Sequence, residues 1–298
     1  MKDSKKLIVV HDGGFHADDV FAVAALLLYL SGDAKVVRTR DPRIIESGDF
    51  VVDVGGVYDA ERNRLDHHQT GGAGARTNGI PYAAFGLVWK KFGAAISGSA
   101  EIAAHIDAKL VQPIDAADNG MQLGKYDGAP SFPYVIQNAV FAFEPTWNEK
   151  DISLDTQFGK AMEFAHTILQ REIAHARDAV LGEALVRAAY DIAVDKRIIV
   201  LDEKYDWKDV LIHTSEPLFV VLPDRRGELE KWRAYAVPAA PHSFDTRMSF
   251  PKAWAGLRDD ALARASGVTD AVFCHNELFT VAAKSKEGAL ALAKRALE

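Results

Sequence analysis

The sequence holds a single cysteine, Cys274, among its 298 residues. One thiol cannot form an internal disulfide, and this is typical of proteins from a reducing compartment. Long hydrophobic runs are also missing, because the longest one near the start, residues 20–30, is too short to span a bilayer. The first residues lack the apolar region and cleavage site of a signal peptide. We therefore expect a cytoplasmic protein without a membrane anchor.

Positive charge is in deficit, since 35 Lys and Arg residues face 42 Asp and Glu residues, for a net charge of −7. This balance excludes a large basic surface that binds duplex nucleic acid without sequence preference. A site that grips a few phosphates is still compatible with it, because metal ions can supply the positive charge that side chains lack. The 48% of hydrophobic residues are enough for the cores of about two domains.

Short apolar runs alternate with helix-length stretches in the first 56 residues. Strands are predicted at residues 6–10, 35–39 and 50–56, with a helix at about 18–30 and a short helix before the third strand. This alternation is typical of a parallel sheet covered by helices. The glycine-rich segment 71–79 is predicted to be a mobile loop, and the helix after it to span 81–92 and end at Gly93.

The pattern changes near Asp155, where apolar residues begin to recur every three or four positions and predict one long helix. Beyond it, strands are predicted at residues 197–201, 218–223 and 232–237, followed by a closing helix at about 287–297. The expected fold class is therefore α/β, with a mostly parallel sheet covered by helices and a second, smaller α+β domain. We expect residues 1–148 to form a catalytic domain, and residues 149–298 a connecting helix and a substrate-binding domain.

Histidine and aspartate recur at four places where a strand or helix is predicted to end. They are His11, Asp12, His16, Asp18 and Asp19, then Asp53, then Asp66, His67 and His68, and finally Asp115 and Asp118. Ligands of open parallel sheets bind beyond the carboxyl ends of the strands, so we expect these side chains to converge. Imidazole and carboxylate together suit Mn²⁺, Fe²⁺ or Zn²⁺, and two bound dications would relieve the repulsion among the carboxylates.

Each of these residues also has a purely structural interpretation. Asp18 and Asp19 are carboxylates in the first turn of a helix, where the helix dipole favours negative charge. Asp66 fits a turn that hydrogen-bonds its own backbone, and Asp115 or Asp118 fits the end of a helix. The metal-site interpretation rests on the whole set and its placement at strand ends rather than on any one pair.

Six motifs give the chain a resemblance to a known family. They are VRTRDP at 37–42, VVDVGGVYD at 51–59, LDHHQ at 65–69, DAADNG at 115–120, PTWN at 145–148 and PHSFDTR at 241–247. Together they resemble the melanocyte-proliferating-gene-one (Myg) family, within the DHH phosphoesterase superfamily. The resemblance implies a DHH-type catalytic domain and a metal-dependent hydrolase, with the 3′–5′ RNA exonuclease activity that is assigned to eukaryotic members.

The resemblance also implies roles for individual residues. One metal ion would be bound by His11, His16 and Asp53. The second would be bound by Asp18, His67 and Asp118, with Asp53 bridging the two ions. His68 would face the scissile phosphate, so that His68 and Asp53 are the expected catalytic residues. Asp118 is preferred to Asp115, which remains an alternative ligand or a partner of one.

Substrate contacts are expected from five further residues, namely Arg38, Arg40, His242, Arg247 and His275. The alternatives are an exposed arginine pair for the first two and structural loop or strand-end roles for the other three. Two segments differ from the family pattern. Residues 16–19 read HADD where the family often has Cys-Asp-Glu after the histidine, and residues 280–283 carry side chains where superfamily members commonly have glycines.

The expected function is that of a phosphodiesterase, a 3′–5′ exonuclease that acts on single-stranded RNA or short oligonucleotides through metal-bound hydroxide. Two divalent ions are expected, with Mn²⁺ preferred and Mg²⁺, Fe²⁺ or Zn²⁺ as alternatives. A phosphomonoesterase or pyrophosphatase would use the same ligands, and a metal-stabilised binding protein without activity is the alternative outside enzymes. The sequence makes no prediction of the oligomeric state.

Overall fold

The computed structural model describes residues 5–121, 124, 133–225, 231–241 and 243–298. The chain divides into two compact units, which we call unit 1 (Met1–Arg177) and unit 2 (Asp178–Glu298). The division falls inside the longest helix, whereas the sequence places the boundary after residue 148. The assignment of residues 1–148 and 149–298 to two functional domains stays a prediction.

Unit 1 contains a five-stranded sheet. Its strands are β1 (Lys6–Val10), β2 (Ala34–Arg38), β3 (Phe50–Val52), β4 (Tyr58–Asp59) and β5 (Arg64–Leu65), in the order β2-β1-β3-β5-β4. All neighbouring strands are parallel except β4, which runs antiparallel to β5. The buried residues of β1 are β-branched, as is typical of a strand covered on both faces. The expected mostly parallel sheet is confirmed.

The helices of unit 1 are α1 (Ala17–Tyr29), α2 (Pro42–Ser47), α3 (Ala84–Ser97), α4 (Ala100–Ile106), α5 (Gln112–Asp118), α6 (Ile136–Phe141) and the first part of α7 (Leu154–Ile192). A π-helical turn at Asp107–Val111 joins α4 to α5. Helix α3 does not end at Gly93, as the sequence predicts, but at Gly98, which adopts a left-handed conformation. Gly93 lies inside the helix and is packed under the Trp89 ring, since a Cβ atom there would come within 2.9 Å of that ring.

Unit 2 contains a mixed five-stranded sheet with helices. Its elements after α7 are β6 (Ile198–Val200), α8 (Lys208–Leu211), β7 (Phe219–Asp224), β8 (Lys231–Ala236), α9 (Asp259–Ser266), β9 (Ala271–Cys274), β10 (Thr280–Ala283) and α10 (Lys286–Arg295). The order is β6-β7-β8-β10-β9, and only β6 and β7 are parallel. The expected α+β character is confirmed. Residues 280–283 form a buried strand between β8 and β9, so their side chains belong to the core of unit 2.

An aromatic cluster forms the core of unit 2. The ring of Phe250 lies 4.7 Å from that of Phe219 and 6.3 Å from that of Trp254, measured between centroids, and all three residues are buried. Rings at these separations add to the free energy that burial of their area provides. Among the residues that the structure describes, no helix has both the length and the apolar character needed to cross a membrane.

Candidate metal centre

The sheet of unit 1 brings the predicted side chains to one edge. Its strands β1, β3 and β5 lie side by side and parallel, so their carboxyl ends meet. His11 follows β1 directly, Asp53 follows β3, and His67 comes two residues after β5. The first turn of α1 adds Asp18 and Asp19. The histidine and aspartate side chains therefore lie at one edge of the sheet, as the sequence predicts.

Asp53 is the centre of this arrangement. Its Oδ2 atom lies 3.2 Å from Nε2 of His11, and its Oδ1 atom lies 3.2 Å from Nε2 of His67. The same Oδ1 atom lies 3.3 Å from Nδ1 of His68. Asp53 has a φ of +53°, a conformation that aspartate tolerates better than most residues, and this ends β3 earlier than the sequence predicts. The two carboxylate oxygens thus face two different groups of ligands.

The first group surrounds His11. Its Nδ1 atom lies 3.0 Å from the carbonyl oxygen of Asp12, which can only accept a hydrogen bond, so Nδ1 carries the proton. The Nε2 atom therefore faces the centre, where it lies 2.9 Å from Oδ2 of Asp19 and could donate to a carboxylate or, once deprotonated, bind a metal ion. The sequence analysis includes Asp19 in the cluster, but the roles implied by the resemblance leave it out. The signal that could have found it is the pair of consecutive aspartates, both of which the structure buries completely.

The second group surrounds His67. Its Nε2 atom lies 3.3 Å from Oδ2 of Asp118 and 3.7 Å from Oδ2 of Asp18. His16 also belongs here, since its ring nitrogen and the oxygens of Asp18 and Asp118 lie within 4.8 Å of one another. The structure thus places His16 beside Asp18 and Asp118, whereas the resemblance implies a place beside His11 and Asp53.

The donor set fits divalent metal ions. Four buried atoms of the centre have no hydrogen-bond partner of good geometry within the described part of the chain: Asp18 Oδ1, Asp19 Oδ2, Asp53 Oδ1 and His67 Nε2. Burial of polar atoms without partners costs free energy, more so for charged groups. Carboxylate oxygens and neutral imidazole nitrogens are ligands that Mn²⁺, Fe²⁺ and Zn²⁺ accept. Such an ion would satisfy these atoms together.

The pKa values of the acidic groups also reflect the cost of burying several carboxylates close together. Burial raises the pKa of Asp18 well above its usual range, and the charges of Asp53, Asp118 and Asp19 raise it further. Burial also raises the pKa of Asp19. For Asp53 burial acts in the same direction, but the close rings of His11, His67 and His68 outweigh it and lower its pKa. The carboxylates therefore need added positive charge, as protons or as metal ions.

The two histidines with shifted pKa values supply part of that charge. Burial disfavours the charged form of His11, yet its hydrogen bonds to Asp19 and Asp53 raise its pKa to about 10. The hydrogen bond to Asp53 is the largest influence on His68, and with Asp66 it raises the pKa of His68 to about 9 against the opposing effect of burial. Both rings are thus poised to be protonated when the centre holds no metal ion.

Asp66 fixes the orientation of His68. Its Oδ1 atom accepts hydrogen bonds from the backbone N–H of His68 at 3.0 Å and from Nδ1 at 2.8 Å. Its Oδ2 atom accepts a hydrogen bond from the N–H of Gly56. The His68 side chain is still 60% exposed, so the ring is held on its Nδ1 side and otherwise open to solvent. This is the arrangement expected of a group that meets a substrate.

Asp115 does not join the metal centre. Its Oδ1 atom accepts a hydrogen bond from the N–H of Gly86 at 2.9 Å, and its Oδ2 atom pairs with Nη1 of Arg76 at 2.7 Å. A Cβ atom on Gly86 would lie 1.8 Å from the same carboxylate, so only glycine fits there. Arg76 lies in the glycine-rich segment and also pairs with Asp107 at 2.8 Å. We therefore interpret Asp115 as a structural anchor and not as a ligand.

The two expected phosphate contacts have protein partners. Arg38 is only 4% exposed in its side chain, pairs with Asp155 at 2.7 Å and donates a hydrogen bond to the carbonyl of Gly13. Its guanidinium also lies over the ring of Phe158. Arg40 is exposed and pairs with Asp12 at 3.2 Å. Arg38 thus binds the loop after β1 from inside the protein, and Arg40 pairs with a residue of the same loop on the surface.

The expected contacts from unit 2 have structural roles where they can be described. Arg247 donates hydrogen bonds to the carbonyls of Leu211 and Ile212 at the end of α8. His275 accepts a hydrogen bond at Nδ1 from the N–H of Glu277. His242 lies outside the described residues.

Comparison with known proteins identifies the family of this chain. A family model described as an uncharacterised protein family (MYG1_exonuc, UPF0160) matches residues 7–297. The chain is 33% identical to the MYG1 exonuclease of Homo sapiens, over 97% of this chain and 85% of the relative. It is 34% identical to a MYG1 protein of Saccharomyces cerevisiae, over 98% and 96% of the two chains. The chain belongs to the MYG1 exonuclease family. The stated resemblance and the expected enzyme class, a hydrolase of phosphoesters, are confirmed.

Two solved structures are similar to this member of the MYG1 family at a low level. A pGpG-specific phosphodiesterase from Vibrio cholerae has a TM-score of 0.31 and 13% identity, over 94% of this chain and 92% of the other. RecJ of Thermus thermophilus in complex with Mn²⁺ has a TM-score of 0.30 and 16% identity, over 98% and 51%. Scores this low carry no argument, so the assignment rests on the family model and the relatives.

Proposed function

We propose that this member of the MYG1 family is a 3′–5′ exonuclease on single-stranded RNA or short oligonucleotides, with a cytoplasmic location. The observation that supports a binuclear centre is the geometry of Asp53, whose two oxygens face His11 on one side and His67 on the other at 3.2 Å each. A carboxylate in this position can bridge two cations. The name of the human relative, an exonuclease, supports the nuclease activity.

The ligands divide into two sets in this proposal. His11 and Asp53 would hold one ion together with Asp19, which lies against His11. Asp18, His67 and Asp118 would hold the second, with His16 beside them and Asp53 shared. Two divalent ions, with Mn²⁺ preferred, would activate water and neutralise charge on the phosphate oxygens.

His68 would act on the substrate itself. Asp66 holds its Nδ1 atom at 2.8 Å and so leaves Nε2 as the ring atom that can meet a phosphate oxygen. With Nδ1–H bonded to Asp66, a protonated ring donates through Nε2–H. We propose that this proton stabilises a non-bridging oxygen or is passed to the leaving oxygen.

A small anion is a weaker fit than an oligonucleotide. A phosphomonoesterase or pyrophosphatase needs a dense set of cationic side chains at the site. Arg38 is committed to Asp155 and Gly13, and Arg40 pairs with Asp12. The described arginines expected to contact phosphate are thus already paired within the protein. This distribution favours a substrate that is also held through its bases and sugars.

The experiment that tests the proposal follows a 5′-labelled single-stranded RNA with Mn²⁺ or with EDTA. We expect the label to appear in products that shorten one nucleotide at a time, only when Mn²⁺ is present. Immediate release of a labelled mononucleotide would reverse the proposed direction. Faster hydrolysis of pyrophosphate or of mononucleotides would favour the alternative enzymes, and the absence of all hydrolysis would favour a binding protein.

Variants at Asp53 test the bridging role. Asp53→Ala and Asp53→Asn should both lower the rate about a thousandfold or more and reduce the metal content measured by elemental analysis. Asparagine tolerates the positive φ of this position, so Asp53→Asn separates loss of charge from strain in the backbone. Circular dichroism should show an unchanged fold. Full activity of Asp53→Asn would contradict the proposal.

A further inference from the structure

Phe141, the last residue of α6, has an exposed aromatic ring beside the metal centre. The residue is 44% exposed, and its ring centroid lies 5.8 Å from that of His16 at an interplanar angle of 69°. His16 itself belongs to the group with Asp18 and Asp118. An apolar ring open to solvent therefore borders side chains that we propose bind metal.

The position of this ring is fixed by hydrogen bonds on both sides of His16. Gln137 on α6 accepts a hydrogen bond from the N–H of Ala17 at 2.9 Å. Glu144, just after α6, accepts one from the N–H of Phe15 at 2.7 Å. A Cβ atom on Gly14 would come within 3.0 Å of the Glu144 carboxylate, so this glycine allows the close approach. The segment that carries Phe141 is thus attached to the loop that carries His16.

Other residues of this segment, and not Phe141, make its apolar packing contacts. Val140, its neighbour in the chain, is completely buried and supplies the apolar contact of this helix. Phe143, two residues further, packs against Phe164 with ring centroids 5.7 Å apart. Phe141 is the aromatic residue of this stretch whose ring is turned to the centre and to solvent together.

We propose that Phe141 is the stacking surface for the base of the terminal nucleotide, a role that rests on the exonuclease activity proposed above. A base is joined to its phosphate through one sugar, so a ring that borders the metal ligands lies within reach of it. Stacking on an aromatic ring tolerates every base, because every base has a π-face. This property suits an enzyme that must accept each successive nucleotide as it shortens a strand.

The test compares an RNA that has a natural 3′-terminal nucleotide with the same RNA abasic at that position. We expect wild-type protein to show a KM about tenfold lower for the natural end, the size of effect that loss of a stacking ring produces. Phe141→Ala should raise the KM for the natural RNA about tenfold, leave that for the abasic RNA unchanged and keep kcat within about twofold. The preference for a base would thereby disappear.

Two substitutions at the same position separate stacking from simple packing. Phe141→Trp should retain the preference for the natural end, whereas Phe141→Leu, which keeps apolar volume without a ring, should lose it. Trp147→Ala is the matched control, because Trp147 is an 83% exposed ring of unit 1. This variant should behave as wild type. Wild-type behaviour of Phe141→Leu, or an equal loss in Trp147→Ala, would overturn the proposed role.

The outcomes distinguish this inference from the function on which it rests. If the wild-type protein cleaves neither RNA in the presence of Mn²⁺, the proposed function fails. If it cleaves both RNAs with the same KM, and Phe141→Ala does too, the exonuclease stands and the stacking role of Phe141 is wrong. Thermal unfolding of every variant, compared with wild type, shows whether a change in KM reflects loss of the folded state.

Discussion

The two units bury their polar groups in opposite ways. Unit 1 buries His11 and a set of carboxylates, several of whose atoms have no hydrogen-bond partner within the described residues. The described buried polar groups of unit 2 are few and bonded. Asp224 pairs with Arg233, Ser266 donates to the carbonyl of Leu262 at 2.7 Å, and Thr280 donates to that of Ala234 at 3.1 Å.

This difference separates a unit built around a binding centre from a unit built around an apolar core. Buried carboxylates without partners are costly, and their cost is offset only when a cation or protons neutralise them. Rings such as Phe219 and Phe250 stabilise unit 2 without any ligand. The stability of unit 1 should therefore depend on metal ions, and that of unit 2 should not.

The largest effect is expected from a cavity in unit 2. Phe250→Ala removes a fully buried ring that contacts Phe219 and Trp254, and should lower the free energy of unfolding of this unit by about 3–5 kcal/mol. Urea denaturation measures the loss. Because unit 2 is independent of the metal centre in this comparison, the affinity of the variant for Mn²⁺ should equal that of wild type. A tenfold change in that affinity would show that unit 2 is not independent of the metal centre.

The next effect is expected from metal ions acting on unit 1. Mn²⁺ at about 100 times its dissociation constant should stabilise the state that binds it by about 2.7 kcal/mol. Hydrogen exchange should therefore slow about a hundredfold in β1, β3 and the start of α1. The strands β7, β8 and β10 of unit 2 serve as the internal control and should exchange at an unchanged rate. Equal slowing of hydrogen exchange in both units would contradict the claim that only unit 1 depends on metal ions.

The most gradual effect, spread over several pH units, is expected at Asp115. Burial raises its pKa to about 7, although Arg76 opposes the shift, so the folded state holds a proton that the unfolded state has released. This contribution to stability is complete below about pH 4 and is lost as the pH rises to about 7, at up to about 1.4 kcal/mol per pH unit.

Asp115→Asn isolates this contribution because asparagine does not titrate. Urea denaturation with EDTA present should show that wild type loses stability relative to the variant between about pH 4 and 7. Above pH 7 the difference should stay level. A difference that is constant from pH 4 to 7 would show that the ion pair with Arg76, and not burial, governs this carboxyl group.

Local patterns were sufficient for most of the elements and for most of the centre. Runs of β-branched residues predict β1, β6 and β7, as is typical of buried strands, whereas β9 and β10 of unit 2 were not predicted. The two-residue strands β4 and β5 are too short for any periodicity to show. Gly93 suggested a helix end, but in α3 it packs under the Trp89 ring, and the left-handed glycine that ends the helix is Gly98.

Site residues divide in the same way. Asp53 and His67 were predictable because a polar residue after a parallel strand must lie at the ligand edge of the sheet. Asp19 received no role because the resemblance supplies one for Asp18 only, and only the packing shows that Asp19 lies against His11. Arg38 has the same residue type whether it contacts a phosphate or, as here, lies buried against Asp155 and Phe158.

The sequence by itself determined which chemistry is available, since the order of imidazoles and carboxylates along the strands follows from the chain alone. The tertiary structure decided which of those groups meet. Asp115 and Asp118 are three residues apart on one helix, yet one pairs with Arg76 and the other faces His67. The reason is physical: a side chain's partner is set by the surfaces that pack around it, and these come from distant parts of the chain.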